Sequence, residues 1–238
     1  MNAHAKAVEK LNLALSKLRF SAPVTHVYNP LEYALPNYLA YLERYGQGRK
    51  RYAFLGMNPG PFGMVQTGVP FGEIQAVRDW MKICEAIQQP SVKNPSRPIE
   101  GWACQRSEVS GRRLWGLFAE RYGQPEAFFQ DHIVLNYCPL AFFVNGRNLT
   151  PDKLPAAEQA PLLAACDDYL RWMLQKLGVQ KVIGVGVWAE ARARAATQGL
   201  NIETAKILHP SPASPAANRG WAEAATQQMR AQGIWPEA

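Results

Sequence analysis

YAFLGMNPGPFGMVQTGVPFGE, Tyr52 to Glu73, is the stretch on which the reading of this chain turns. It opens on an apolar run, Tyr52 to Met57, of strand length and β-rich composition. It then passes into Asn58 to Gly72, where four Gly and three Pro stand among Asn, Gln and Thr, with no acidic residue, Lys or Ser. Gly permits close backbone approach, and Pro fixes φ and removes an N–H donor, so this loop is shaped and rigid. A rigid loop at the carboxyl end of a strand is where open α/β sheets hold ligands. The same segment interleaves Met57, Phe62, Met64 and Phe71, side chains that are costly to leave in water. A flat apolar ligand accounts for both the rigidity and the apolar lining.

Three further runs share the β-rich character: Ile133 to Tyr137, Lys181 to Val187 and Thr204 to Leu208. Helix-like stretches lie between them at Glu73 to Gln88, Ser110 to Tyr122, Pro161 to Leu177 and Trp188 to Gln198. Strands that alternate with helices predict an α/β fold with a short, mainly parallel, four-stranded central sheet covered on both faces. No Ser/Gly linker or charge block divides the 238 residues, so a single domain, 1–238, is expected. Gln89 to Ser107 has three Pro and little periodicity and reads as an irregular insertion, either a solvated loop or an edge facing a polyanion. Gly184 and Gly186 in VIGVGVWAE lack the third Gly of a dinucleotide fingerprint; close packing of strand on helix explains them.

The composition, 47% hydrophobic and 19% charged, suits a globular chain with a sizeable core. The first eighteen residues, MNAHAKAVEKLNLALSKL, predict an amphipathic helix with Val8, Leu11, Leu15 and Leu18 on one face. They are too polar for a secretory signal, and no stretch is long enough to cross a membrane, so no membrane partner is expected. A cytoplasmic location follows, near the nucleoid in a bacterium, or a nuclear one in a eukaryote. The net charge of +7 makes a polyanion a plausible partner, with basic residues gathered at Arg44 to Arg51, Lys93 to Arg113 and Arg192 to Arg194. Cys84, Cys104, Cys138 and Cys166 are scattered without a C-x-x-C pair, which predicts buried free thiols and no metal.

A second segment, HPSPASPAANRGW at His209 to Trp221, follows the last strand-like run, and His209 is the one among four His that sits in such a motif. Both segments closely resemble the single-strand-selective monofunctional uracil-DNA glycosylases, one branch of the uracil-DNA glycosylase superfamily. The likeness runs from Phe54 through Gly72 and from His209 through Trp221, with a third piece at Asn136-Tyr137-Cys138-Pro139-Leu140. It implies a three-layer α/β/α fold and a DNA repair enzyme that flips a damaged base from the stack. Other superfamily branches carry an iron–sulfur cluster on four Cys; the spacings here match none, and no cofactor is expected.

The resemblance implies roles residue by residue. Asn58 would orient the attacking water, since an amide accepts a hydrogen bond but cannot act as a proton base near neutral pH. His209 would stabilise charge developing on the uracil O2. Asn136 would read the base edge with one donor and one acceptor in a plane, and Phe71 would stack on the flipped base. Backbone groups around Met57, Gly60, Phe62 and Met64 would complete the pocket, with Gly60 leaving room for a 5-substituent or an ordered water.

Pro210 to Trp221 would wedge into DNA through Pro210, Ser211, Pro212, Ala213, Asn218 and Arg219. Ala213 stands where vertebrate relatives have Arg, which leaves gap filling to Arg219 or the loop backbone. The implied substrates are uracil and 5-hydroxymethyluracil in single- and double-stranded DNA. No Lys in the matched motifs is placed to form a Schiff base, so an abasic site without strand cleavage is the expected product. A monomer suffices. A non-catalytic damaged-DNA binder and a nucleoside hydrolase are the alternatives.

Overall fold

The computed structural model describes residues 2–236. Its strands are β1 (His26–Tyr28), β2 (Tyr52–Gly56), β3 (His132–Asn136), β4 (Ala141–Val144), β5 (Arg147–Leu149), β6 (Lys181–Val185) and β7 (Glu203–Ile207). Its α-helices are α1 (Ala3–Leu15), α2 (Pro30–Tyr33), α3 (Leu35–Tyr45), α4 (Met64–Thr67), α5 (Val109–Tyr122), α6 (Pro125–Phe129), α7 (Ala156–Lys176), α8 (Val187–Ala196), α9 (Pro215–Asn218) and α10 (Trp221–Ala231).

The four apolar runs form one parallel sheet in the order β3-β2-β6-β7. β2 lies inside it and is buried along its whole length, as an unbroken apolar run in a parallel sheet requires. The chain leaves β2 for β3 on one side and later returns to β6 on the other, so a crevice opens at the carboxyl ends of β2 and β6. Gly56 pairs with Asn136, and Val185 with Ile207, so the strands end nearly level. Asn58 and His209 each follow their strand by two residues and reach the same edge of the sheet.

Side-chain alternation assigns the layers. Phe54 of β2 packs on Phe118 of α5, with ring centroids 5.0 Å apart, and on Phe128 of α6. Its neighbour Leu55 points to the opposite face and pairs with Gly184, which lies so close to α8 that a Cβ would stand 2.3 Å from the Glu190 backbone nitrogen. Helices therefore cover both faces, and Gly184 has the packing role read from the sequence. The outer edge of β7 is capped by α10: Gln232 accepts from the Lys206 N–H and donates to its carbonyl, and Gln228 accepts from the Leu208 N–H. Pairing these backbone groups blunts the carboxyl half of the exposed sheet edge. On α1, Val8, Leu11 and Leu15 are buried as expected.

The structure departs from the sequence reading in several places. β1, β4 and β5 form a second, antiparallel sheet in the order β1-β4-β5, which was not anticipated from runs of three or four residues. The helix expected over Glu73 to Gln88 stops at Trp80, its last turn a wide π-type turn over Ala76–Trp80. Beyond it the backbone bonds elsewhere: the buried Asn37 amide accepts from the Glu85 N–H and donates to its carbonyl, and Gln88 N–H donates to Tyr33. The helix expected from Pro161 starts at Ala156 and carries that proline inside it.

The insertion at Gln89 to Ser107 is not a free solvated loop. The buried Gln66 donates to the carbonyls of Pro61 and Pro98 and accepts from the N–H groups of Glu100 and Gly101, tying the insertion to the Gly/Pro loop. The basic cluster at Arg192 to Arg194 is internally neutralised, Arg192 by Asp167 at 2.6 Å and Arg194 by Glu190 at 2.9 Å. Lys50 is buried against the Phe129 carbonyl. Cys104, Cys138 and Cys166 are buried, but Cys84 is exposed. Among the described residues no helix is long and apolar enough to cross a membrane.

Candidate active site

A cavity of about 450 Å³ opens at the carboxyl ends of β2, β3 and β7. Of the residues singled out in the sequence, Met57, Asn58, Gly60, Met64, Phe71, Asn136, His209, Ser211 and Pro212 line it. Glu108, Ser110, Asn148 and Thr150 also line it, and sequence reasoning missed them. The last two come from β5 and its exit, so the unanticipated sheet forms part of the wall.

The floor is set by Gly56. A Cβ there would lie 2.4 Å from Asn136 Oδ1 and 2.5 Å from Phe71 Cε2, so amide and ring both rest on this residue. Phe71 adopts φ +52, a left-handed conformation that costs a non-Gly residue on the order of 1–3 kcal/mol and is concentrated at functional sites. Its carbonyl packs so close to Gly111 of α5 that a Cβ there would come within 2.1 Å of it. The Asn136 Nδ2 donates to Met64 Sδ at 3.2 Å, a weak acceptor that a carbonyl oxygen would readily replace.

Asn58 Nδ2 donates to the Leu140 carbonyl at 3.2 Å, which fixes the amide and turns Oδ1 into the available acceptor. His209 rests on Gly186, whose φ of +96 calls for glycine and where an added Cβ would make a tight 3.2 Å contact with the His209 Cβ. The Ser211 N–H donates to His209 Nδ1 at 3.0 Å. A nitrogen that accepts carries no proton, so the neutral ring bears its proton on Nε2. Burial holds the imidazole below its ordinary pKa, which favours that neutral form. The Phe71 and His209 ring centroids are 6.2 Å apart.

Two expectations are corrected. The Phe62 side chain lies outside the cavity, packed against the guanidinium groups of Arg97 and Arg106 at 5.6 and 4.7 Å from its ring centroid. The room above Gly60 is already taken: a Cβ there would meet Glu108 Oε2 at 2.4 Å. Burial raises the Glu108 carboxyl above its ordinary range, backbone N–H groups of Phe62 and Ser110 pull it back, and the Glu73 charge raises it further.

The segment after His209 is a braced loop. Arg113 of α5 donates to the Pro210 carbonyl and to Asn218 Oδ1, each at 3.0 Å, and Asn218 Nδ2 donates to the Pro212 carbonyl at 2.8 Å. Both ends of the Asn218 amide are thus engaged within the protein, and Pro210 is buried. Pro212, Ala213 and Arg219 are exposed, with Ala213 and Arg219 outside the cavity.

A cavity lined by two amides, an aromatic ring and a neutral imidazole, at the strand ends of an α/β sheet, goes with a recognisable class, the uracil DNA glycosylase superfamily, whose family model matches residues 43–231. The single-strand selective monofunctional uracil-DNA glycosylase of Rattus norvegicus is 50% identical over 230 residues, covering 95% of this chain and 83% of that protein. Its Mus musculus counterpart is 49% identical, covering 95% of this chain and 82% of that protein. The crystal structure of wild-type Pedobacter heparinus SMUG2 superposes with a TM-score of 0.67 at 16% identity, covering 96% of this chain and 97% of that one, which shows a common fold. The chain belongs to this superfamily and, within it, to the family of single-strand selective monofunctional uracil-DNA glycosylases.

Proposed function

We propose that this protein hydrolyses the N-glycosidic bond of uracil and 5-hydroxymethyluracil in single- and double-stranded DNA, as a single domain acting as a monomer. The observation that carries the reading is the convergence of Asn58, Phe71, Asn136 and His209 on one cavity, all from one chain. Phe71 stacks on the flipped base, and Asn136 exchanges its contact with the Met64 sulfur for the base O4 while its oxygen accepts from N3–H. Asn58 Oδ1 accepts a hydrogen bond from a water and holds it toward the anomeric carbon, with the amide anchored at Leu140.

The C1′–N1 bond breaks with its electron pair going to the base, the sugar becomes oxocarbenium-like, and the water oxygen bonds to C1′. The water proton is passed to solvent or to the departing base anion, giving free base and an abasic site. His209 donates from Nε2 to O2 as charge gathers there, without needing a protonated ring. Donors aimed at a developing oxyanion are worth about 10² to 10³-fold in rate. Ser211, Pro212, Ala213 and Arg219 face the DNA, with the exposed loop tip entering the stack.

The test is base release from end-labelled DNA with one uracil, single-stranded and opposite G or A, followed by alkali. Alkali-dependent cleavage, strongly reduced in Asn58→Ala and His209→Asn, is expected. Absence of release in every context, with folding and DNA binding intact, refutes the catalytic reading and favours a non-catalytic binder.

A further inference from the structure

Gly60 and Gly63 stand three residues apart on the Gly/Pro loop, and one distant side chain fills the space beside both. A Cβ on Gly60 would meet Glu108 Oε2 at 2.4 Å and Cδ at 2.8 Å, and a Cβ on Gly63 would meet Glu108 Cγ at 2.8 Å. Neither glycine has a φ in the left-handed region; both leave room for this carboxylate, and Gly63, at φ −113 and ψ −110, also takes a backbone conformation outside the ordinary regions. Glu108, the residue before α5, is the one acidic side chain lining the cavity. Backbone N–H groups of Phe62 and Ser110 lie near enough to oppose the effect of burial on its carboxyl. A carboxylate has about four lone-pair sites, so two neighbouring donors leave acceptor capacity toward the cavity.

Base hydrolysis itself gives this group nothing to do. The leaving base becomes an anion, and a carboxylate beside it opposes that charge. Its position suggests a different task. With Phe71 on one face of the ring, Asn136 along N3 and O4, and His209 at O2, position 5 points away from His209, because C2 and C5 are opposite corners of a pyrimidine. The wall left for that corner is the Pro59 to Met64 loop with Glu108 seated in it.

We infer that Glu108 determines which 5-substituents the cavity accepts: its carboxylate takes a hydrogen bond from a 5-hydroxymethyl group and turns away a 5-methyl group. This rests on the proposed uracil-DNA glycosylase activity. A methyl pressed against the carboxylate strips its water and returns no hydrogen bond, whereas a hydroxymethyl group supplies the donor. Uracil itself has only hydrogen at C5 and leaves space for a water to serve the carboxylate. Selection is thus by hydrogen-bonding capacity at the 5-position, through a residue 48 positions beyond Gly60.

The experiment compares kcat/KM on single-stranded oligonucleotides carrying one uracil, one 5-hydroxymethyluracil or one thymine, for the unaltered chain, Glu108→Gln and Glu108→Ala. Ratios between substrates cancel losses of active protein. The hydroxymethyluracil-to-uracil ratio is expected to fall about tenfold in Glu108→Gln, where the acceptor loses its charge, and about 100-fold in Glu108→Ala, with thymine gaining on uracil. Glu108→Gln keeps the volume and carries the test if Glu108→Ala does not fold. Ratios unchanged in an otherwise active protein overturn the inference and leave the uracil reading standing. An unaltered chain that releases no uracil overturns both.

Discussion

Gly56→Ala adds one methyl group at the point where strand, ring and amide meet. The new Cβ would lie 2.4 Å from Asn136 Oδ1 and 2.5 Å from Phe71 Cε2, whereas ordinary contact begins at 3.4 Å, so about 1 Å of overlap must be relieved. The strand cannot retreat, because Gly56 is buried within the sheet and its carbonyl accepts from the Tyr137 N–H at 2.9 Å. The Phe71 backbone has little room to shift toward α5, because its carbonyl already packs closely on Gly111. The relief must come from the Asn136 amide and the Phe71 ring moving into the cavity. A misplacement of about 1 Å in groups that position a reacting species costs on the order of 10²-fold in rate. Overpacking adds roughly 1–3 kcal/mol of destabilisation.

Single-turnover release of uracil, read beside thermal melting, separates the two effects. Gly116→Ala is the control: it lies within α5 with nothing inside 4 Å of the added Cβ, and should leave the rate alone while stabilising by up to about 1 kcal/mol. A Gly56→Ala protein that is folded and within threefold of the unaltered rate would refute the placement of Asn136 and Phe71 on this glycine.

Arg113→Ala removes both braces on the Pro210 to Asn218 loop and should slow base release about tenfold, with stopped-flow rates at saturating DNA as the measure; unaltered rates would deny the bracing a role. Because burial lowers the His209 pKa, its neutral form persists as pH falls to its ordinary 6.5, so the acidic limb of the pH–rate profile should lie below that value. A limb centred above 6.5 would contradict a neutral donor. His132, buried among aromatic rings, is pushed down to about 4 by desolvation, so between 6.5 and about 4 the unfolded chain binds more protons than the folded one. Stability should therefore fall by about 3 kcal/mol as pH drops through that window, and His132→Phe should flatten the slope in denaturant titrations at several pH values.

The parallel sheet was legible because β2, β3 and β6 are apolar runs, a pattern dictated by burial on both faces, while the edge strand β7 alternates between exposed and buried residues. Asn58, Asn136, Phe71 and His209 were legible through motifs that each sit at a strand end. The structure brings them to one cavity because the strands end level, a matter of register that local sequence does not encode. The short sheet of β1, β4 and β5 escaped because three or four residues cannot display a period. Glu108 escaped for another reason: nothing in Gly60 or Gly63 announces that their missing side chains make room for a group far along the chain. Glycine was read as empty space for substrate, and the space belongs to the protein. The chain from Glu85 to Gln88 misled in the same way, since the N–H groups of Glu85 and Gln88 find their partners in Asn37 and Tyr33 rather than in a helical turn.

β7, the outermost strand on its side of the sheet, brings His209 to the cavity and is closed over at its carboxyl end by Gln228 of α10 and Gln232 just beyond it. Synthesis on the ribosome runs from the amino end, so the growing chain owns its stacking ring and reading amide well before it owns the imidazole. In the proposed mechanism, a chain still being made, or one clipped ahead of β7, retains the parts that cradle a base and lacks the part that helps release it. On that mechanism the group that assists bond cleavage is the last of the four site residues to be made, and it is carried on the border strand of the sheet.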